Sequence, residues 1–523
     1  MTTSRPYSRV LIAAIGLVGI ALLVALVSQL WVFFHSGARR EEALNLTTAM
    51  LDVHTPRVTW LPDDPETGRP MENSTREELM GDYIRAWYQW QLSYLAGRPV
   101  GMTEYFTPDA LPKATAAVFD ITARGHRLHQ TDVEHHLQLH FYSADGQIVS
   151  FTDHRMTLKQ RLYRLEPGEK IADDQSTVDY QVVMLLDDGY WRIKHIVRQP
   201  ATAIDLHEPT PRDCTQLVRM VRNQFVINGR PFVPNGVNYY PQKTPWSSFW
   251  KQYDAKIVDR DFARVRALGL NTVRVFVNFH DFGRGNVLPE RVAELQNLLD
   301  LASRHGLRVL VTLFDFMGDY RLLNLTATDR QLETLLSRFN RHPALLAWDL
   351  KNEPDIDYKH HDPDDVIDWL IWILTRARRY DPNHLITIGW AYPESASYLA
   401  RYVDFVSFHS YRSLPQLDQD IALLRKAVPN KLLLLEEYGL PSYRGLWAPF
   451  GHTEADQLTY VRSVRTILNK HGNIPQLVWT LYDFDQVPAE VVGKKPWQVQ
   501  PQKHFGILHT DGTPKPVAGA LTP

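Results

Sequence analysis

The chain has 523 residues, 44% of them hydrophobic and 22% charged, with a formal net charge of −2. That length exceeds one ordinary core and predicts two or three folded units. The near-neutral charge excludes a global field that gathers nucleic acid or acidic polymers, and the single cysteine, Cys214, excludes an intramolecular disulfide.

In chain order, the first element is the stretch 10–34, 25 residues without a charge. As a helix it would be about 37 Å long, enough to span a bilayer with some tilt and too long for the apolar part of a secretory signal. Trp31 sits near its far end, as an interfacial anchor would. Arginines flank the stretch on both sides (Arg5 and Arg9, Arg39 and Arg40), so charge does not set its orientation. Residues 1–35 are therefore expected to form a transmembrane anchor and 36–74, polar and proline-rich in part, a linker.

Residues 75–200 read as an α+β domain. Met80, Tyr83, Ile84, Trp87, Tyr88 and Leu95 keep near-helical spacing. Two Asp-Gly pairs, Asp145-Gly146 and Asp188-Gly189, each lie between β-rich runs and predict long hairpins. Helix first and hairpins after it resemble the NTF2-like cone, by pattern alone. His135 and His136 are adjacent, so in a strand they face opposite sides and do not suit one metal ion. Residues 201–216, which include Cys214, read as a second linker.

From 217 to 523 the period changes to strand and helix in alternation. Short apolar strands are expected at 232–238, 272–277, 308–314, 345–350, 385–390, 405–408, 432–435 and 477–481, with helices at 288–306 and 362–380 among those between them. Eight such strands give a (β/α)8 barrel, and the fold class is α/β with the α+β domain in front of it. A hairpin turning at Asn228-Gly229 is expected to plug the barrel bottom.

Catalytic groups of such barrels sit at the C-terminal ends of the strands. The fourth strand ends in LAWDLKNEPD, with Asn352 and Glu353, and the seventh in LLLLEEYGLP, with Glu437. Carboxylates on strands four and seven face each other across the barrel mouth, as cleavage of a glycosidic bond with retention requires. Glu436 is the rival to Glu437; strand alternation is expected to put the two on opposite faces, with Glu437 toward the cleft.

GVNYYP, VRVF, WDLKNEP, HSY, EEYG and VWTLYDF, in this order at the strand ends, resemble the clan of (β/α)8 retaining glycosidases that includes glycoside hydrolase family 5. The resemblance covers about residues 224–520. It implies hydrolysis of β-glycosidic bonds in a β-glucan or β-mannan type polymer or oligosaccharide, with no metal and no organic cofactor. Glu353 would be acid/base and Glu437 nucleophile. Asn352 would bind the sugar 2-hydroxyl, Arg274 would orient the nucleophile, His409 and Tyr411 would contact substrate and nucleophile, and Trp479 would floor the subsite. Trp390, Tyr239, Tyr240 and Trp348 are candidate stacking platforms. Where many family 5 members carry a histidine after the third strand, this chain has Phe314, Asp315 and Phe316, so its pocket departs from the cellulase pattern. The implied partners are a carbohydrate and, through the N-terminal helix, a membrane, with the folded part outside the cytoplasm. Transglycosylation on the same pair, or a non-catalytic glycan-binding or assembly role, are the alternatives. Glu353 is expected to hold a raised pKa and Glu437 to stay ionised beside Arg274.

Overall fold

The computed structural model describes residues 54–202 and 216–522. The expected membrane helix at 10–34, most of the second linker and Cys214 lie outside the described residues. Among those described, no helix is long and apolar enough to cross a membrane.

Thr55 onward forms one compact body. Its first part is a five-stranded sheet, in the order β1 (Arg57–Trp60), β2 (His126–Tyr142), β3 (Ile148–Arg164), β4 (Lys170–Asp187) and β5 (Tyr190–Pro200). The last four pair antiparallel, and Asp188 and Gly189 turn the β4–β5 hairpin, both with positive φ. That conformation is why Asp-Gly marks the turn. β1 pairs parallel with β2 at the edge, so residues 57–60, expected in the linker, belong to the sheet.

Helix α1 (Asn73–Ala96) buries Leu79, Tyr83, Ala86 and Trp87 against the sheet. Gly97 ends it in the left-handed conformation, its N–H bonded to the Ser93 and Tyr94 carbonyls, the usual glycine stop. A second helix, α2 (Leu111–Ala123), was not expected from the sequence. His135 and His136 do face apart. His135 is fully buried between Asp132 (2.7 Å) and Asp153, and His136 reaches Glu134 at 3.4 Å.

Residues after the linker first form a small antiparallel sheet of β6 (Arg219–Val221), β7 (Gln224–Ile227) and β8 (Arg230–Pro231). Val218 and Phe225 pack there against Leu310, Leu346, Leu385, Leu434 and Leu477 from the barrel strands and Phe405 just before the sixth, closing the barrel bottom. The barrel itself closes β9 (Asn235–Asn238), β10 (Thr272–Asn278), β11 (Arg308–Asp315), β12 (Leu345–Asn352), β13 (Leu385–Trp390), β14 (Val406–Ser410), β15 (Leu433–Tyr438) and β16 (Gln476–Val478), all parallel. These strands are buried on both faces, and that is why they read as apolar runs.

Around the barrel lie α3 (Ala255–Ala267), α4 (Pro289–Arg304), α5 (Leu325–Phe339), α6 (Pro363–Tyr380), α7 (Leu414–Ala427) and α8 (Glu454–Lys470). α6 starts on an Asp362 cap with Asp364 and Asp365 in its first turn and ends on Arg378 and Arg379, in the sense the helix dipole favours. Between β13 and β14 the connection carries only a single 3-10 turn, Ser395–Ser397.

The sheet domain meets α6 through ion pairs, of which those to Glu134 are the most buried. Glu134 of β2 accepts from Arg379 at 2.6 Å and from Arg376 at 3.2 Å. Arg161 and Lys170 reach Asp365 (2.7 Å) and Asp368 (2.8 Å) on α6. Burying Glu134 raises the cost of its charge, but His136, Arg376 and Arg379 outweigh it and hold the carboxyl well below its usual range.

Candidate active site

The cleft at the C-terminal ends of the strands has a volume of about 590 Å³, and Glu353 and Glu437 both line it. Glu353 follows β12 with φ 49° and ψ 50°. A left-handed non-glycine residue is strained and persists only where its surroundings fix it. Here the Glu353 N–H donates to the Gly389 carbonyl at 2.7 Å. The strain therefore aims the acid side chain out of the strand and into the cleft.

Arg274 of β10 organises the layer beneath. Fully buried, it donates to Glu437 (3.0 Å), Asn238 (3.1 Å), Asp349 and Asn352 (2.8 Å each) and Thr312 (2.8 Å). A guanidinium with five donors in a rigid fork suits this crowd as an ammonium would not. Burial opposes its charge, but Glu436, Asp349 and Glu437 together raise its pKa further above the ordinary arginine value. Burial and the Glu436 charge push Asp349 up to about 6 against the pull of Arg274.

Strand alternation does not separate Glu436 from Glu437. The register of β15 slips against β14 and against β16 at this point, so both side chains reach the arginine. Glu436 Oε1 lies 3.5 Å from Arg274 Nε, within the lumen, and Glu437 Oε2 lies 3.0 Å from Nη1, beside the cleft. Gly389 leaves room for this layer, since a Cβ there would meet Glu436 Oε2 at 2.7 Å.

His409, fully buried, faces Glu353 Oε1 at 2.8 Å through Nδ1, and the same nitrogen lies 3.8 Å from Glu437 Oε2. Tyr411 donates to the other oxygen of Glu437. Burial works against a charged imidazole, but Glu437, Glu353 and Glu436 raise His409 to about 10.

This reverses the expectation for the pair. Burial raises Glu353, yet the hydrogen bond and charge of His409, with Arg274 and Lys351, bring it below its ordinary value. Glu437 is raised, by burial first and then by the Glu353 charge, against His409, Arg274 and Tyr411. Of the two, His409 is the group that burial and its neighbours leave with the raised value and Glu353 the one left with the lowered value, so a proton shared between them favours His409. Crossing the 2.8 Å bond to Glu353 makes the carboxylic acid without changing the proton count.

Among the other residues named from sequence, Asn352 and Trp479 line the cleft. Tyr240 also lines it, in edge contact with Trp479 at 6.3 Å. Three do not. Tyr239 is buried and donates to Asp261 at 3.1 Å, Trp348 points to Asp381 at 2.8 Å, and Trp390 is buried against Tyr398. Residues not singled out from sequence complete the cleft: Trp246, Asp357, Phe505 and Lys351, whose Nζ lies 3.3 Å from Asp357. Asp315 lines it too, pushed by burial up to about 6 against Lys351 and Arg274.

Ligand atoms of Glu353, His409 and Glu437 all lie within 4.8 Å of one another and could hold a cation. Such an ion would displace the His409 proton and compete with Arg274 for Glu437.

No family model matches the chain. Curated relatives include the β-glucuronidases of Chlorocebus aethiops, 24% identical over 302 residues, and of Homo sapiens, 22% identical over 302 residues. Each match covers 53% of this chain and respectively 43% and 42% of the relative, so the chain spans less than half the length of these relatives. Similar solved structures include an exo-β-1,4-mannosidase, Op5Man5, from Opitutaceae bacterium strain TAV5, with a TM-score of 0.48 and 18% identity over 60% of this chain and 61% of that one. Another is GH5_18 from Streptomyces cattleya in complex with GlcNAc, with a TM-score of 0.45 and 21% identity over 55% and 79% of the two chains.

Proposed function

We propose that the barrel is a retaining β-glycoside hydrolase acting on a β-glucan or β-mannan type polymer or oligosaccharide. The observation that carries this reading is the approach of the two carboxylates. Oxygens of Glu353 and Glu437 come within 4.8 Å of each other across an aromatic-walled cleft. An approach this close is compatible with the about 5–5.5 Å between carboxyl groups that retention uses, and the reading adopts it over the about 6.5–9.5 Å of inversion.

In the first step Glu437, held by Arg274 and Tyr411, attacks the anomeric carbon. The glycosidic oxygen leaves with the proton that Glu353 receives across its bond to His409. Glu353 is then a carboxylate and takes a proton from water, whose oxygen displaces Glu437 and frees the sugar. Asn352, its amide oxygen fixed by Arg274 at 2.8 Å, presents its NH2 group as the donor for a sugar 2-hydroxyl. Trp479 and Tyr240 supply the apolar walls for sugar rings.

The stretch 10–34 would anchor the chain, placing the barrel outside the cytoplasm where polysaccharides are. The two helices of the first domain and its sheet, antiparallel but for the edge strand β1, support the NTF2-like reading.

A panel of β-linked oligosaccharides incubated with the full chain tests this. Reducing ends should appear for at least one β-linked hexose series and vanish in Glu437→Gln. Release by Glu437→Gln at the parent rate would overturn the assignment.

A further inference from the structure

A second cavity, about 390 Å³, opens in the first domain between α1, α2 and the sheet, and it shares no lining residue with the catalytic cleft. One face of α1 supplies its floor. Trp90 and Tyr94 lie near-parallel, 18° between planes and 6.2 Å between centroids, and Trp87 adjoins Trp90 at 5.2 Å. Trp90 Nε1 donates to the Ala114 carbonyl of α2 at 3.2 Å, which fixes the ring. Trp90 and Tyr94 are only half-buried. A domain core would have covered them.

The rim is cationic. Lys113, Lys194 and Arg198 are exposed around the opening, and Asp109 is the one acidic residue lining it. Asp109 lies 3.4 Å from Lys194, so Lys113 and Arg198 are in excess. The near-neutral chain thus concentrates positive charge over an aromatic platform.

We propose that this cavity holds an acidic saccharide, with the C–H face of a uronate-type ring on Trp90 and Tyr94 and its carboxylate between Lys113 and Arg198. Half-buried aromatic rings offer apolar faces to sugar rings whatever their linkage. Selectivity for an acid comes from the rim, where charge-assisted hydrogen bonds to a carboxylate are the strong ones. The volume, within the range of pockets for compact ligands, holds short saccharide units, and a lipid tail would need a longer apolar channel. Gln130, bonded to Gln160 at 2.9 Å, lines both this cavity and a smaller one at the junction with the barrel. Arg321 and Leu322, in the connection that leaves β11, line the junction, and Asp315 at the end of β11 with Phe316 at the start of that connection line the catalytic cleft. The domain would hold one stretch of a carboxylate-bearing β-linked chain while another reaches the barrel. This rests on the hydrolase reading and goes beyond its β-glucan or β-mannan substrate by placing uronate units beside the neutral hexoses of the chain, and the binding itself does not depend on that reading.

The test is calorimetric titration of the full chain carrying Glu437→Gln, so that nothing is consumed. The probes are a β-1,4-linked tetrauronate and a neutral β-1,4 tetrasaccharide. The tetrauronate should bind and weaken about tenfold or more on replacing Lys113 and Arg198 together by Ala, with a similar loss for Trp90→Ala. Both rim residues are exposed, so that double variant keeps its fold. In the background with Glu437 intact, the same rim variant should turn over a small aryl glycoside within about twofold of the parent, a difference of under 0.5 kcal/mol. Absence of tetrauronate binding, tetrauronate binding indifferent to the rim charges, or an equal loss of neutral-chain affinity on replacing the rim charges would each overturn the proposal. Because the titration needs no turnover, failure of the hydrolase reading leaves it interpretable.

Discussion

His409 Nδ1 lies 2.8 Å from Glu353 Oε1, and this contact joins a group whose pKa is raised to one whose pKa is lowered. The imidazole is held at about 10 by the surrounding carboxylates, while Glu353 lies below its ordinary value. A shared proton of this kind belongs to the pair, and its apparent pKa is a property of the pair.

The pH profile of kcat/KM should therefore be bell-shaped with displaced limbs. Glu437 must be ionised to attack, and its raised pKa puts the acid limb above the ordinary 4.5 of a glutamate. The alkaline limb follows loss of the pair's proton, which is retained below, and released as pH rises through, about 10. Glu353 without the His409 cation keeps its burial and the Glu437 charge, retains Arg274 and Lys351, and loses the largest lowering influence. His409→Gln should therefore pull the alkaline limb down by several pH units and narrow the bell. Rate measurements on the free enzyme would show it; an alkaline limb unmoved by His409→Gln would refute the shared proton.

A methyl group at position 389 should be costly. The Cβ of Gly389→Ala would meet Glu436 Oε2 at 2.7 Å, Arg274 Nη2 at 3.0 Å and Asp349 Oδ2 at 3.0 Å. The buried layer cannot give way without breaking charge-assisted bonds, so stability should fall by about 1–3 kcal/mol. Movement of Arg274 carries Glu437 with it, so kcat/KM should drop by about 10²-fold. Denaturant unfolding and steady-state rates check both, and wild-type rates in Gly389→Ala would mean that this layer does not set the nucleophile's position.

The strand-end carboxylates and most of the barrel are legible because parallel strands are buried on both faces and write themselves as apolar runs. β1 is not legible: its partner β2 lies far along the chain, and RVTW sits beside a polar, proline-bearing stretch. α2 is hidden because its sequence, LPKATAAVFDITA, buries little besides Ala114 and Val118. Tyr239 and Trp390 stand at strand ends as sugar platforms would, but sequence does not reveal Asp261 waiting behind one or Tyr398 beside the other. Lys351 and Trp246 are lost for a related reason. Register slips and loops, which carry no periodic signal, bring them into the cleft.

Glu134 should matter to stability although it is remote from the chemistry. Replacing it by Ala leaves Arg376 and Arg379 facing the interface without their shared carboxylate, and breaking a buried pair costs about 3–5 kcal/mol. Arg376 keeps Asp329, at 2.7 Å, which places the effect toward the lower end. The sign with pH follows from the lowered carboxyl. Its contribution is present above the unfolded-state value near 4.5 and is lost as pH falls. Denaturant midpoints at pH 7 and pH 4 should thus differ less in Glu134→Ala than in the parent. Equal pH sensitivity of the two would sink this account of the interface.

The two glutamates are separated most sharply by their response to leaving group and to azide. Glu437→Ala has no group to form the glycosyl ester, so turnover should be lost for every substrate. Glu353→Ala keeps the nucleophile with Arg274 and Tyr411 still on it. Natural glycosides need a proton on the departing oxygen and should slow by about 10²–10⁴-fold. An activated aryl glycoside departs without that proton and should still glycosylate Glu437, giving a burst and then slow hydrolysis. Azide needs no general base, so it should speed the slow step and leave as the β-glycosyl azide. With Glu437→Ala the anion enters from the face the carboxylate has vacated, and the product is the α-azide. The configuration of the two azides, read by proton NMR, then assigns the roles: azides of one configuration from both variants would show that Glu353 and Glu437 do not divide the work in this way.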